Sequence, residues 1–155
     1  MRNGLEALMW SIALPGFGQL LNGKWLKGIV FIFLEILVNV QARFNLAIIS
    51  SFHGEIDKAI HLIDFQWLMF YPCIYFFAMW DAFKDAGGGK GRNSFLPFVF
   101  SAYFVTVGLI FSTVFRPFGI LFGPIWLPML SVIPGLIVGF LLKFIINNAS
   151  KKNSV

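Results

Sequence analysis

Charge is scarce in this sequence. Of its 155 residues 12 are Lys or Arg and 7 are Asp or Glu, so charged residues make up 12% of the chain, against about 25% in an ordinary soluble domain. Hydrophobic residues reach 58%, twenty of them Phe, and the mean hydropathy is +0.80. A chain this short has too little interior to hide so much apolar surface, which excludes a free-standing soluble globule. Cysteine is nearly absent as well. Cys73 stands alone inside an apolar stretch, which excludes an intrachain disulfide, leaves the fold to packing, and makes this residue a small buried apolar side chain. The chain also lacks a Ser/His/Asp set, paired inward carboxylates or a Cys/His cluster at membrane-compatible positions, so the expectation is no enzyme, no metal and no cofactor. The Gly-rich stretch Gly87 to Arg92 lacks the GxxxxGK[ST] pattern of a phosphate loop, because Lys90 is followed by Gly91. The net charge of +5 is distributed in twos and threes at the ends of apolar runs. That placement reflects membrane topology rather than a phosphate-binding stripe, and nucleic acid is not expected as a partner.

What is present is apolar length. From Asn93 to Leu142 the single charge is Arg116, which separates uncharged runs of 21 and 26 residues. Runs of about 18 or more apolar residues read as membrane spans. The pattern predicts an all-α integral membrane protein, one membrane domain over 1–155, with four full transmembrane helices at 28–49, 65–82, 94–115 and 126–146. Residues 1–27 form a short helix and a Pro/Gly turn. The apolar run Leu5 to Leu14 is stopped by Pro15 and Gly16, and ten residues of helix reach about 15 Å, half a hydrocarbon core. A half-span or re-entrant helix is the expectation here, with a steep full crossing as the alternative. A signal peptide competes on the strength of Arg2 and the small residues Ser11 and Ala13, but the run is short and carries Glu6.

Between the first two spans, Ile56, Ala59, Ile60 and Ile63 follow i, i+3, i+4, i+7 spacing, which predicts a short amphipathic helix on the membrane surface. Pro72 predicts a kink in the span 65–82, Pro97 falls in the first turn of the next, and Pro128 and Pro134 predict a bent entry to the last. A Gly-rich loop at 83–93 and a basic tail at 147–155 complete the chain. With that loop cytoplasmic, the inner side holds Lys24, Lys27, Lys84, Lys90, Arg92, Lys143, Lys151 and Lys152, and the outer side Arg43, Lys58 and Arg116. The positive-inside rule therefore places the loop and the C-terminus in the cytoplasm of a cell membrane. The side of the N-terminus stays open, inside if the first helix is re-entrant and outside if it crosses.

Three constellations stand out. In the turn Pro15, Gly16, Gly18, Gln19, Asn22, Gly23, the proline frees a carbonyl and the glycines permit tight turns. Gln19 and Asn22 can satisfy the backbone groups so liberated, while Lys24 and Lys27 pin the turn at the headgroup layer. Glu35, Asn39 and Arg43 lie at i, i+4, i+8, a polar stripe whose carboxyl costs about 2.5 to 3.5 kcal/mol at a helix centre and is either a proton path or interhelical glue. Gly135 and Gly139 form a small-xxx-small pair that marks a helix contact face, within the bundle or with a partner. Gly119 and Gly123 repeat that spacing before the last span. His53, Glu55, Asp57, His61 and Asp64 crowd the outer connection without metal-ligand spacing and read as a solvated polar face.

The turn Pro15-Gly16-Phe17-Gly18-Gln19 through Gly23, with Lys27-Gly28 opening the next span, resembles the TM2-like family of small bacterial multi-pass membrane proteins. A second stretch, Trp80-Asp81-Ala82-Phe83 followed by Asp85-Ala86, is similar to the aromatic-Asp-Ala segment after a later span of that family. The usual Tyr of the turn is Leu21 here, and residues beyond the Gly-rich loop have no counterpart. The family has no established activity, so the resemblance implies architecture more than function. The functional expectation is a non-enzymatic membrane protein, a partner or assembly and regulatory module that acts through helix-helix contacts with another membrane protein or a second copy in the lipid bilayer. The alternative is a small proton-linked transporter or channel component that uses Glu35.

Overall fold

The computed structural model describes residues 3–152. Met1, Arg2 and the end of the basic tail at 153–155 lie outside the described residues, as do the side chains of Lys151 and Lys152. Among the described residues every regular element is helical: α1 (Gly4–Ala13), α2 (Phe17–Leu21), α3 (Trp25–Ala42), α4 (Phe44–Phe52), α5 (Ile56–Leu62), α6 (Phe65–Leu68), α7 (Tyr71–Asp85), α8 (Leu96–Phe111) and α9 (Gly123–Lys152), with a 3-10 turn at Pro117–Gly119. Two of these, α3 and the Gly123–Ser150 part of α9, are long and apolar enough to cross a membrane. The pair Ile56–Leu62 and Phe65–Asp85, bent by 87°, makes a third if counted as one span, while α1 and α8 are shorter apolar helices. The chain is therefore an all-helical protein with two or three membrane-spanning candidates.

Local sequence accounts for the breaks. α1 starts at Asn3, whose Oδ1 accepts the Leu5 N–H at 3.0 Å. It stops at Leu14, which is extended (φ −155°, ψ 122°) because the residue before a proline avoids the helical region. The stretch expected as one helix over 28–49 is instead two. Arg43 adopts φ 55°, closes α3 with an N–H···O bond to Val40, and starts α4 in a new direction. Pro72 interrupts the next helix one turn earlier than its own position, at Met69 and Phe70, because it has no N–H to offer the Leu68 carbonyl. α7 then runs to Asp85, into the stretch expected as loop, and closes on Gly87 (φ 84°) with Gly88 N–H bonded to Phe83 O at 2.9 Å. Pro128 and Pro134 sit inside α9, which continues as a single element.

The elements collect at two ends. At one, Ala42, Ala47, Ala59, Ile63, Leu68, Leu109 and Ile125 form a buried cluster where α3 ends, α4 to α6 fold over, α8 ends and α9 begins. The apolar face of α5 belongs to this cluster: Ala59 and Ile63 are buried in it, and the Ile56 side chain packs against Gly123. The amphipathic helix expected to lie on lipid thus turns its stripe inward against protein. Trp126 Nε1 donates to the Ser51 carbonyl at 3.2 Å and fixes α9 to α4. At the other end, Asn147 joins α9 to the Gly-rich loop by hydrogen bonds with Asn93 and the Arg92 carbonyl. Gly4 abuts Gly88 and Phe83, so α1 also starts at this end. Between the ends α7 packs on α1 and α8, and the most extensive pairing is α8 with α9.

Candidate functional site

The turn after α1 folds the chain back as a hairpin. Gly16 adopts φ 106°, a conformation that costs a side chain but not glycine. A Cβ there would meet the Gly28 carbonyl at 2.5 Å, so the turn is held flat against α3. Gly18 lies against Ser11, the Ala7 carbonyl and Ala82, which folds α2 back along α1 and onto α7. Pro15, Gln19 and Asn22 are buried, and Gly23 (φ 72°) releases the chain toward α3. Both arms of the hairpin therefore open at the Gly-rich-loop end, as a re-entrant segment would.

The side-chain amides of the turn donate to a neighbouring helix. Gln19 Nε2 donates to the Ala78 carbonyl at 2.8 Å and to Asp81 Oδ2 at 3.1 Å, and Asn22 Nδ2 donates to the Ala82 carbonyl at 2.8 Å. Lys27 Nζ bridges Asp81 Oδ1 at 2.7 Å and Asp85 Oδ2 at 2.9 Å. It is spent on two carboxylates of α7, whereas exposed Lys24 is in no ion pair among the described residues. The two stretches that carry the family resemblance, some sixty residues apart, thus close on each other as one latch. Asp81 and Asp85 are its acidic half, and sequence reasoning reached them only through that resemblance. The available signal was charge: an i, i+4 pair of carboxylates at the end of an apolar helix needs a cation, and Lys27 opens the preceding span.

The polar stripe is not continuous. Glu35 is 6% exposed, with Tyr71 and Tyr75 beside it, and its Oε2 is buried without a hydrogen-bond partner. Tyr71 and Tyr75 stack with ring centres 5.4 Å apart, and the Tyr75 hydroxyl donates to the Ile12 carbonyl at 2.6 Å. That carbonyl is one of those left without a helical partner where α1 stops at Pro15. Asn39 turns instead to Asn45, at 3.0 Å, and Arg43 is an exposed helix-break residue rather than a member of the α3 face. The buried polar chain therefore runs sideways from α3 through α7 to the hairpin, and not from mid-span to the outer surface. The tyrosines were invisible to the sequence reading because aromatic residues in a Phe-rich span carry no pattern of their own.

Gly135 and Gly139 are used within the chain. A Cβ on Gly135 would lie 2.6 Å from Ser101 Cα, and one on Gly139 would lie 2.5 Å from Pro97 Cα, so both glycines bring α9 onto the α8 backbone. Gly108 on α8 returns the fit against Ser131 and Pro128. Gly119 and Gly123 sit in turns at positive φ rather than on a helix face. On the far connection, Asp64 Oδ1 accepts the Gln66 and Trp67 N–H groups and caps α6, and His61 Nδ1 lies 2.6 Å from the Asp57 carbonyl. The Lys58 ammonium, 2.7 Å away, holds the Glu55 carboxyl below its ordinary range. Among the described residues no group of three His, Cys, Asp or Glu is placed to hold a metal ion. Cys73, expected to be buried, is exposed on α7. No family model, no curated protein and no solved structure gives a significant match to this chain.

Proposed function

We propose that this chain is a non-enzymatic multi-pass protein of a bacterial cell membrane, of the TM2-like kind, that serves as a partner or assembly module through helix-helix contacts. In this reading α3, α6 with α7, α8 and α9 are four full spans, and α1 with α2 is a re-entrant hairpin. The Gly-rich loop and both termini face the cytoplasm. The observation that carries it is how the polar and apolar groups are spent. The motif residues are consumed in an internal latch, while only 22% of the Trp25–Ala42 span and 11% of the Gly123–Ser150 span are buried. What the molecule offers to its surroundings is apolar helix.

Because α8 already covers the Gly135–Gly139 face, the contact moves to another helix. The outward side of α3 is the best candidate: Leu26, Ile29, Phe33, Ile36 and Val40 are all more than half exposed along one stripe. The test places a photo-reactive side chain at Phe33 in the native membrane, with a second at Phe140 on α9 for comparison. The expected outcome is a discrete protein adduct at Phe33, either with one other membrane protein or with a second copy. Lipid adducts alone at both positions would sink the proposal.

A further inference from the structure

We propose that the groove between α7 and α8 binds one acyl chain of an anionic phospholipid from the leaflet on the Gly-rich-loop side, with Lys90 and Arg92 at its phosphate. The groove encloses about 450 Å³ and is lined by Cys73, Phe77, Trp80, Phe98, Ala102 and Thr106 among others. Two residues of its α8 wall carry hydroxyls, Tyr103 and Thr106; Thr106 Oγ1 is already bonded to the Ala102 carbonyl at 2.9 Å, and the remaining lining is apolar or aromatic and asks for an apolar occupant. From Phe95 to Thr106 the helix rises about 16 Å, about half of the hydrocarbon thickness, which is the depth of one leaflet. A single hydrocarbon chain fits a cleft of that length and volume.

The polar end of the groove carries the second observation. Gly88 and Gly89 lie directly on the rings of Phe83 and Trp80, and a Cβ on Gly89 would be 2.7 Å from the Trp80 ring. This contact holds the loop over the Trp80 end, and Lys90 and Arg92 follow it, both exposed. Neither joins an ion pair among the described residues, and the nearest acidic pair in sequence, Asp81 and Asp85, is already taken by Lys27. Unpaired cations at the headgroup level attract anionic lipid. The chain-sized groove and the charge above it thus select a single molecule with an apolar tail and an acidic head. The proposal uses α7 and α8, and it stands or falls separately from the α3 contact.

The experiment reconstitutes the full-length protein in nanodiscs of equal phosphatidylglycerol and phosphatidylcholine, extracts it in mild detergent, and counts retained lipids by native mass spectrometry. Wild type is expected to keep one phosphatidylglycerol. Ala102→Phe, which fills the groove, is expected to lose it, with helix content checked by circular dichroism. The double variant Lys90→Gln/Arg92→Gln leaves helix packing untouched and is expected to keep a lipid with its headgroup preference reduced at least fivefold. The proposal is overturned by wild type that retains no lipid or a copurified protein in its place, by equal retention of the two lipids, or by an unchanged preference in the double variant. The last comparison decides the matter even if Ala102→Phe does not fold.

Discussion

A carboxyl buried in an apolar helix needs a donor, and the Tyr71 hydroxyl is the group beside Glu35 that can supply one. The pair reaches from α3 to α7, and Tyr75 extends it to the Ile12 carbonyl of α1. Glue and proton path make different demands on this residue. As glue, Glu35→Gln keeps an acceptor for Tyr71 and leaves thermal stability in detergent within about 0.5 kcal/mol of wild type, whereas Glu35→Leu strands the hydroxyl and costs about 1–3 kcal/mol. Tyr71→Phe in the Glu35→Leu background is expected to recover part of that loss, since the two effects share one contact. As a proton path, Glu35→Gln abolishes ion flux in proteoliposomes, and unchanged flux ends that alternative. The importance of Glu35 was legible from the residue type in an apolar run. Its partners were not, because nothing in the spacing of Tyr71 and Tyr75 marks them off from the neighbouring Phe residues.

At the scale of elements, the glycines decide how closely helices approach. Gly139 sits against Pro97 Cα and the Leu96 carbonyl, both backbone atoms that cannot swing aside. Gly139→Leu is therefore expected to separate α9 from α8 and to destabilise the fold by about 1–3 kcal/mol or more, read as a lower melting temperature in detergent. If its stability equals wild type, the α8–α9 packing described above is wrong. The small-xxx-small spacing was readable in the sequence, but the identity of the opposing helix was not. The spacing states only that a backbone can come near, and that backbone turned out to belong to α8 of the same chain. The division of 28–49 at Arg43 was also hidden, because a non-glycine residue at positive φ has no reliable signature. The stop at Leu14 was plain, since Pro15 dictates it.

At the scale of the whole molecule, the hairpin and the latch set the topology. Gly4 and Gly88 are in contact, and Asn147 of α9 binds the turn at Arg92 and Asn93, so the start of the chain, the Gly-rich loop and the end of α9 share one side. Cysteines introduced one at a time at Gly4, Lys90 and Gly54, in a Cys73→Ser background, are expected to react with a membrane-impermeant maleimide from two sides. Gly4→Cys and Lys90→Cys should be labelled only when the cytoplasmic face is open, and Gly54→Cys in intact cells. Labelling of Gly4→Cys in intact cells would make α1 a full crossing. Lateral exposure belongs to this scale too: Leu26 is 79% exposed and Phe144 66%. A soluble monomer rarely tolerates apolar patches of that extent, whereas acyl chains solvate them without penalty.

The amino-acid sequence by itself determined the solvent of this protein and the positions of its strongest breaks. Scarce charge and uncharged runs of 21 and 26 residues are the mark of apolar helices long enough to cross a bilayer, and proline ends a helix through local sterics in any context. Tertiary structure alone decided which polar groups meet. Lys27 with Asp81 and Asp85, and Asn22 with Ala82, join α3 or the hairpin to α7, and Glu35 of α3 comes to lie beside Tyr71 of α7. Such pairings depend on the relative height and rotation of two helices in a packed bundle, quantities set by the fit of all their side chains and encoded at no single position along the chain.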